Sequence, residues 1–160
     1  MTLDFESDSP DETLRLGQSL GRLLRGGEVL GIEGDLGAGK TQLVRGLASG
    51  LDIDPDVVYS PSFTLVAEHD GRLRLNHIDL FRLGDRVEPD DEEEIGLGDY
   101  LDPAGVTAIE WCRKLGERKG IWSLEIEIEI GEGNHRSIRL SGRSGRGTEI
   151  LEELRRQLPR

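Results

Sequence analysis

The sequence predicts an α/β fold with a mixed central sheet, flanking helices and an antiparallel C-terminal portion. Three observations lead to this prediction. A short apolar run at 28–33 is followed by a glycine-rich loop and then by apolar residues at helical spacing. Two further apolar runs, 75–79 and 106–110, each end in a carboxylate. A regular alternation of apolar and acidic residues over 122–130 precedes a second strand-like stretch, which predicts an antiparallel pair.

The first helix is predicted to begin directly after Ser9. Ser9 suits the N-cap, Pro10 the first turn, and Glu12 the position of the acidic partner in a capping box. Leucines follow at helical spacing, and the pair Gly26-Gly27 ends the helix. The strand at 28–33, the loop and a second helix up to residue 51 come next.

The remainder of the chain alternates strands with shorter helices. A hairpin is predicted at Asp70-Gly71, with 72–79 as its second arm. The later elements are a short helix at 92–101, strands at 106–110, 122–130 and 136–140, and an amphipathic helix at about 148–158. A length of 160 residues suits one domain, with its core at about 10–141.

One motif indicates phosphate binding. Its residues fit G-x-x-x-x-G-K-[ST] and are Gly34, Asp35, Leu36, Gly37, Ala38, Gly39, Lys40 and Thr41. Glycines let successive backbone N–H groups point at one phosphate chain, and the start of a helix favours anions. Lys40 would reach the β- and γ-phosphates, and the Thr41 hydroxyl would bind Mg²⁺. These residues predict a single P-loop NTPase domain.

Two strand-terminal acids are the candidates for completing a metal site. Asp79 and Glu110 each end an apolar strand, and the carboxyl ends of strands open onto the ligand crevice in α/β sheets. Both carboxylates could therefore face Thr41 and act with Lys40 in catalysis.

A proline-marked segment is a candidate switch, because its hydroxyls could sense the γ-phosphate; a simple strand-entry turn is the alternative. Its residues are Ser60, Pro61, Ser62 and Thr64.

Trp111 could pack beside the nucleotide or belong to the core. His77 alternates with its neighbours in a way that favours a buried, hydrogen-bonded core histidine over a catalytic one.

Composition excludes several classes of protein. A net charge of −12 repels phosphate backbones, so strong direct binding to nucleic acid is not expected. Cys112 is the only cysteine, which excludes a disulfide framework. The sequence contains no apolar run of membrane-spanning length, and its acidic N-terminus is unlike a signal peptide, so we expect a cytoplasmic protein.

Four motifs together resemble the TsaE family, the small bacterial ATPases of the tRNA threonylcarbamoyladenosine (t6A) pathway. They are the loop 34–41, the segment 60–66, the stretch 77–83 and the run 109–111. The motifs occur in the family's order and at compatible spacing, and the resemblance extends from about Thr13 to Leu140.

The resemblance implies ATP or ADP and Mg²⁺ as cofactors and slow ATP hydrolysis. It implies action with TsaB and TsaD, which modify adenosine 37 of tRNA, so that the chain reaches tRNA indirectly. Lys40 and Thr41 would bind phosphate and Mg²⁺, Glu110 would be the second metal ligand, and Asp79 would be the Walker B acid that orients water or the metal's shell. Thr13 and Arg136 match positions of nucleotide contacts.

The sequence departs from the family at two positions. The family usually has Thr where this chain has Ser62, which keeps a hydroxyl, and Pro where this chain has Cys112. The Cys112 replacement removes a restraint on the backbone next to Trp111.

Three other functions are alternatives to that of an ATPase in the t6A pathway. A small-metabolite kinase would need a lid with arginines, for which Arg143 and Arg146 are candidates. A GTPase would need an Asn-Lys-x-Asp motif, which the sequence lacks. A non-catalytic module would bind nucleotide only to hold its shape.

Overall fold

The computed structural model describes residues 1–61, 63–101, 103–116 and 121–159. The strands are β1 (Thr2–Ser7), β2 (Val29–Glu33), β3 (Val66–His69), β4 (Arg74–Asp79), β5 (Gly105–Glu110), β6 (Leu124–Ile130) and β7 (Arg136–Gly142). The α-helices are α1 (Pro10–Leu23), α2 (Lys40–Gly50), α3 (Pro89–Ile95), α4 (Leu97–Tyr100) and α5 (Gly145–Gln157). Short 3₁₀ turns occupy Pro55–Val57 and Cys112–Leu115.

All seven strands form one mixed sheet in the order β1-β7-β6-β2-β5-β4-β3. The central strands β6, β2, β5 and β4 are parallel to one another. β3 pairs with β4 in antiparallel orientation at one edge, and β7 and β1 extend the other side in the same way. The predicted α/β fold with an antiparallel C-terminal portion is confirmed.

Apolar side chains cover the sheet on both faces. The larger cluster joins α1, α2 and α5 to the sheet, with Leu20, Leu47 and Leu151 fully buried. The smaller cluster covers the other face of the parallel strands and includes Ile109 and Trp122. The parallel strands are therefore buried on both faces, as expected for strands between helical layers.

The first two helices pack backbone against backbone. Gly17 and Gly21 of α1 lie against carbonyl groups of α2, and Gly46 and Gly50 of α2 lie against carbonyl groups of α1. A Cβ atom at any of the four positions would overlap the facing carbonyl oxygen. The four glycines therefore set the separation of α2, which begins at the glycine-rich loop 34–41, from α1.

A buried carboxylate fixes the turn between α1 and β2. Glu28 is 2% exposed and accepts hydrogen bonds from the backbone N–H groups of Arg25 and Gly26. Arg146 of α5 also binds it, with Nε 3.2 Å from Glu28 Oε2. This pairing compensates the buried charge and ties α5 to the amino end of the central strand.

The structure corrects three boundaries predicted from the sequence. β1 lies outside the predicted core of 10–141 but pairs with β7 along its whole length. The last helix begins at Gly145 rather than near 148, because Ser144 caps it by accepting from Gly147 N–H. The predicted helix at 92–101 is two short helices, separated by Gly96 in a left-handed conformation with φ 72°.

In the described part of the chain, no helix combines the length and the apolar character needed to cross a membrane.

The helix contact predicts the effect of adding one methyl group. Gly46→Ala should lower the free energy of unfolding by about 1–3 kcal/mol, because the new Cβ would overlap Leu14 O, a backbone atom that cannot rotate away. The same exchange at Gly98, where a Cβ meets no atom within 4 Å, should be neutral or stabilise by up to about 1 kcal/mol. Urea unfolding of both variants checks this, and equal effects would contradict the packing argument.

A second prediction concerns pH. His135 contacts Asp8 at 2.8 Å and Glu6 at 2.7 Å, linking β1 to the start of β7. The hydrogen bond to Asp8, followed by the one to Glu6, raises the pKa of His135. The contribution of His135 to the free energy of unfolding should be complete below its unfolded-state pKa of about 6.5. That contribution should disappear as pH rises through the higher pKa of His135 in the folded state.

The measurement is the difference in unfolding free energy between the wild type and His135→Gln, from below the unfolded-state pKa of His135 to above its folded-state pKa. We expect the difference to be largest at acid pH. A difference independent of pH would contradict this account.

Candidate functional site

The carboxyl ends of three neighbouring parallel strands converge on the glycine-rich loop 34–41. β2 ends at Glu33 and leads directly into the loop. Its neighbour β5 ends at Glu110, which pairs with Ile32. The next strand, β4, ends at Asp79, which pairs with Glu110. Both acids predicted from the sequence are therefore brought to the same end of the sheet as the loop.

The loop leaves an open, uncapped start of α2. Gly37 and Gly39 have φ values of 82° and 106°, a conformation that favours glycine. Gly39 is the N-cap of α2, and no side chain of the described residues caps this helix. The first N–H groups of α2 are thus available to an anion, with the helix dipole aligned in its favour.

Lys40 is folded over its own loop. Its Nζ lies 2.5 Å from Gly34 O and 3.0 Å from Asp35 O. It also lies 4.0 Å from the ring centroid of Trp111, a cation–π contact. Burial lowers the pKa of Lys40, while Glu110 and other nearby acids oppose that shift.

Glu110 connects the loop helix to the sheet. It is 2% exposed, and the Thr41 hydroxyl lies 3.1 Å from each of its carboxylate oxygens. His77 of β4 approaches the same group, with Nε2 2.5 Å from Glu110 Oε2. Thr41 and Glu110 supply hydroxyl and carboxylate oxygens, the ligands that suit Mg²⁺ beside nucleotide phosphates.

Asp79 is bonded to the predicted switch segment rather than to Thr41. Its Oδ2 accepts from the Ser60 hydroxyl, and its Oδ1 accepts from Phe81 N–H at 2.9 Å. Its own backbone N–H donates to Leu65 O at 2.9 Å. Asp79 therefore holds the segment at both ends.

The other predicted switch residues make local contacts. Pro61 O accepts from Leu65 N–H at 2.7 Å, and the exposed Thr64 donates from Oγ1 to Val66 O. Ser62 lies outside the described residues. The neighbouring aromatic side chains Tyr59 and Phe63 are 66% and 87% exposed.

Thr13 and Arg136 line one cleft of about 240 Å³ beside the loop. Arg136 donates to two loop carbonyls, with Nε 3.1 Å from Ala38 O and Nη2 3.3 Å from Gly37 O. Thr13 is buried, and its hydroxyl lies 2.8 Å from Ser7 Oγ. Arg136 thus braces the loop, and Thr13 forms part of the wall.

Trp111 is half-buried; it packs against the smaller apolar cluster and also contacts Lys40 at the site. Its φ of 62° places it in the left-handed region, which is unusual for a bulky residue. Its ring contacts that of Phe81 at a tilt of 39°, with centroids 5.3 Å apart, and it also contacts Lys40.

Cys112, which follows Trp111, begins a 3₁₀ turn and packs under Gly31 beside Trp122. Burial, reinforced by Glu33, raises the pKa of the Cys112 thiol to about 12, so it remains protonated and unreactive.

The contact between His77 and Glu110 was not predicted from the sequence. The prediction that His77 is buried and hydrogen-bonded is confirmed through Nε2, which contacts Glu110, whereas Nδ1 has no partner among the described residues. One signal was present: His77 lies two residues before Asp79 on the same strand, so both project from one face.

Comparison with known proteins places the chain in a family. The model of the family "Threonylcarbamoyl adenosine biosynthesis protein TsaE" matches residues 7–139. The tRNA threonylcarbamoyladenosine biosynthesis protein TsaE of Bacillus subtilis is 35% identical over 155 residues, covering 96% of this chain and 94% of that protein. The protein of the same name from a Nostoc species is 44% identical over 120 residues, covering 72% of this chain and 70% of that protein.

The fold agrees with the sequence comparison. The crystal structure of YdiB from Bacillus subtilis superposes with a TM-score of 0.79 at 31% identity, covering 98% of this chain and 95% of that one. With a matching family model over most of its length and relatives of this similarity, the chain belongs to the TsaE family.

Proposed function

We propose that the chain is an ATP-binding, slowly ATP-hydrolysing accessory protein of t6A modification, acting with TsaD and TsaB homologues. The observation that carries the proposal is the cluster of Lys40, Thr41 and Glu110 at the open start of α2. Relatives named for tRNA threonylcarbamoyladenosine biosynthesis support the assignment to that pathway.

Phosphate binding rests on the loop and Lys40. The N–H groups at the start of α2 would bind the phosphate chain of ATP or ADP, and Lys40 would turn from Gly34 O and Asp35 O towards the β- and γ-phosphates. Nucleotide would thus replace backbone carbonyls around an ammonium group that is already partly desolvated.

Metal binding rests on Thr41 and Glu110. Their oxygens already converge, with the Thr41 hydroxyl 3.1 Å from both oxygens of Glu110. When bound, Mg²⁺ would neutralise negative charge on the phosphates. Thr41 and Glu110 would hold the ion, and Asp79, on the next strand, could support its shell.

Asp79 would have two roles, one in hydrolysis and one in the response of the switch segment. The Asp79 carboxylate would orient an attacking water or the shell of the metal, since hydrolysis needs both in place. Because Ser60 and Leu65 are also bonded to Asp79, a change at the γ-phosphate would reach the segment through this residue.

Trp111, Thr13 and Arg136 would complete the nucleotide cleft. Arg136 holds two loop carbonyls, and Trp111 contacts Lys40 directly.

The overall charge of −12 supports contact with tRNA through partner proteins rather than by direct binding, in keeping with action in the cytoplasm.

The positions of Arg143 and Arg146 do not support the kinase alternative, in which they would belong to a lid over the nucleotide. Arg146 binds Glu28, which precedes β2, and Arg143 N–H donates to Ser123 O before β6. These contacts place the two arginines beside the amino ends of β2 and β6, whereas the phosphate loop follows the carboxyl end of β2.

The proposed function is tested by reconstituting t6A formation with a TsaB–TsaD pair and ATP. The wild-type chain should increase product formation, whereas Lys40→Ala should give no stimulation. Calorimetry should show ATP affinity of that variant reduced by about tenfold or more, because a charged hydrogen-bond donor to phosphate is lost. Product formation unaffected by the wild-type chain would contradict the pathway role, and unchanged ATP affinity would contradict the role of Lys40.

Glu110→Gln separates catalysis from binding. The amide keeps the shape of the side chain but removes the charge that holds the metal, so ATP turnover should fall by about 10²-fold while nucleotide affinity changes much less. Steady-state turnover and calorimetry measure the two quantities. Equal losses in both would indicate a folding defect, and full partner function without turnover would favour the non-catalytic module.

A further inference from the structure

The side chain with the closest contact to Glu110 is an internal histidine. His77 is fully buried in β4, the strand between β5 and the edge strand β3. Its Nε2 lies 2.5 Å from Glu110 Oε2, and both side chains are almost completely excluded from solvent. Because a carboxylate oxygen accepts, Nε2–H is the donor.

Simple core packing does not account for this residue. His77 Nδ1 is buried and has no hydrogen-bond partner in the described residues. A buried polar atom without a partner destabilises the fold, and an apolar side chain in this position would avoid that cost. The polar contact that His77 does make is the one to Glu110.

The contact restricts the orientation of the carboxylate. Glu110 ends β5, and without the contact to His77 its side chain could adopt several rotamers. With Oε2 bonded to a ring that the sheet holds in place, the carboxylate plane is set, and both oxygens remain 3.1 Å from the Thr41 hydroxyl. Partners behind a metal ligand commonly fix its orientation in this manner.

We infer that His77 is a positioning residue that holds the Glu110 carboxylate in the orientation required for Mg²⁺ binding beside Thr41. The inference rests on the proposed function, because it assigns Glu110 to the metal. His77 acts through Glu110 and needs no contact with nucleotide or Mg²⁺.

The test is a Mg²⁺ titration of ATP binding, followed with a fluorescent ATP analogue and compared with binding in the presence of a chelator. His77→Leu should raise the apparent Kd for Mg²⁺ about tenfold, the scale typical of losing such a partner. Affinity for the analogue without Mg²⁺ should stay within about twofold, since the loop and Lys40 are unchanged.

Two further variants distinguish positioning from packing. His77→Gln can place an amide N–H near the position of Nε2 and should restore most of the Mg²⁺ dependence, whereas His77→Asn places its donor nearer Nδ1 and should not. His69→Leu is the matched control: its Nε2 is also buried without a partner in the described residues, but it lies on β3 and should behave as the wild type.

The outcomes are separable. If the wild type binds the analogue more tightly with Mg²⁺ and His77→Leu does so to the same degree, the role of His77 is wrong while the proposed function stands. If Mg²⁺ has no effect on the wild type, the metal role assigned to Thr41 and Glu110 in the proposed function is wrong together with the role of His77. Should His77→Leu fail to fold, equal behaviour of the Gln and Asn variants would overturn the inference, and a weaker Asn variant would support it.

Discussion

The register of the parallel strands β2, β5 and β4 is the constraint on which the site depends. Ile32 pairs with Glu110, and Glu110 pairs with Asp79, so that three strand ends are level where the loop begins. A shift of one residue in either pairing would reverse the faces of the side chains and remove an acid from the site. The apolar clusters on both faces of these strands hold that register.

Much of this arrangement could be predicted because its signals are local. The loop motif, the strand before it and the strand-terminal acids Asp79 and Glu110 are each visible within a few residues. The same holds for Ser9, whose capping contact with Glu12 N–H is observed. Short-range backbone requirements leave a direct trace in residue type and spacing.

The parts that escaped prediction depend on partners distant in the chain. β1 is a strand because β7 is available to pair with it, and its own alternation of apolar and polar residues is short. His77 meets Glu110 across 33 positions, and Arg146 meets Glu28 across 118. Such pairings follow from sheet order, which a single sequence does not specify.

The two contacts of Asp79 with the segment 60–66 have a consequence for local electrostatics. The carboxylate is 3% exposed and is neutralised in part by hydrogen bonds, one of them from Ser60. Were the segment to move away, Asp79 would lose that donor, and the negative potential beside the loop would increase. The position of a surface segment is thereby coupled to the electrostatic potential at the open start of α2.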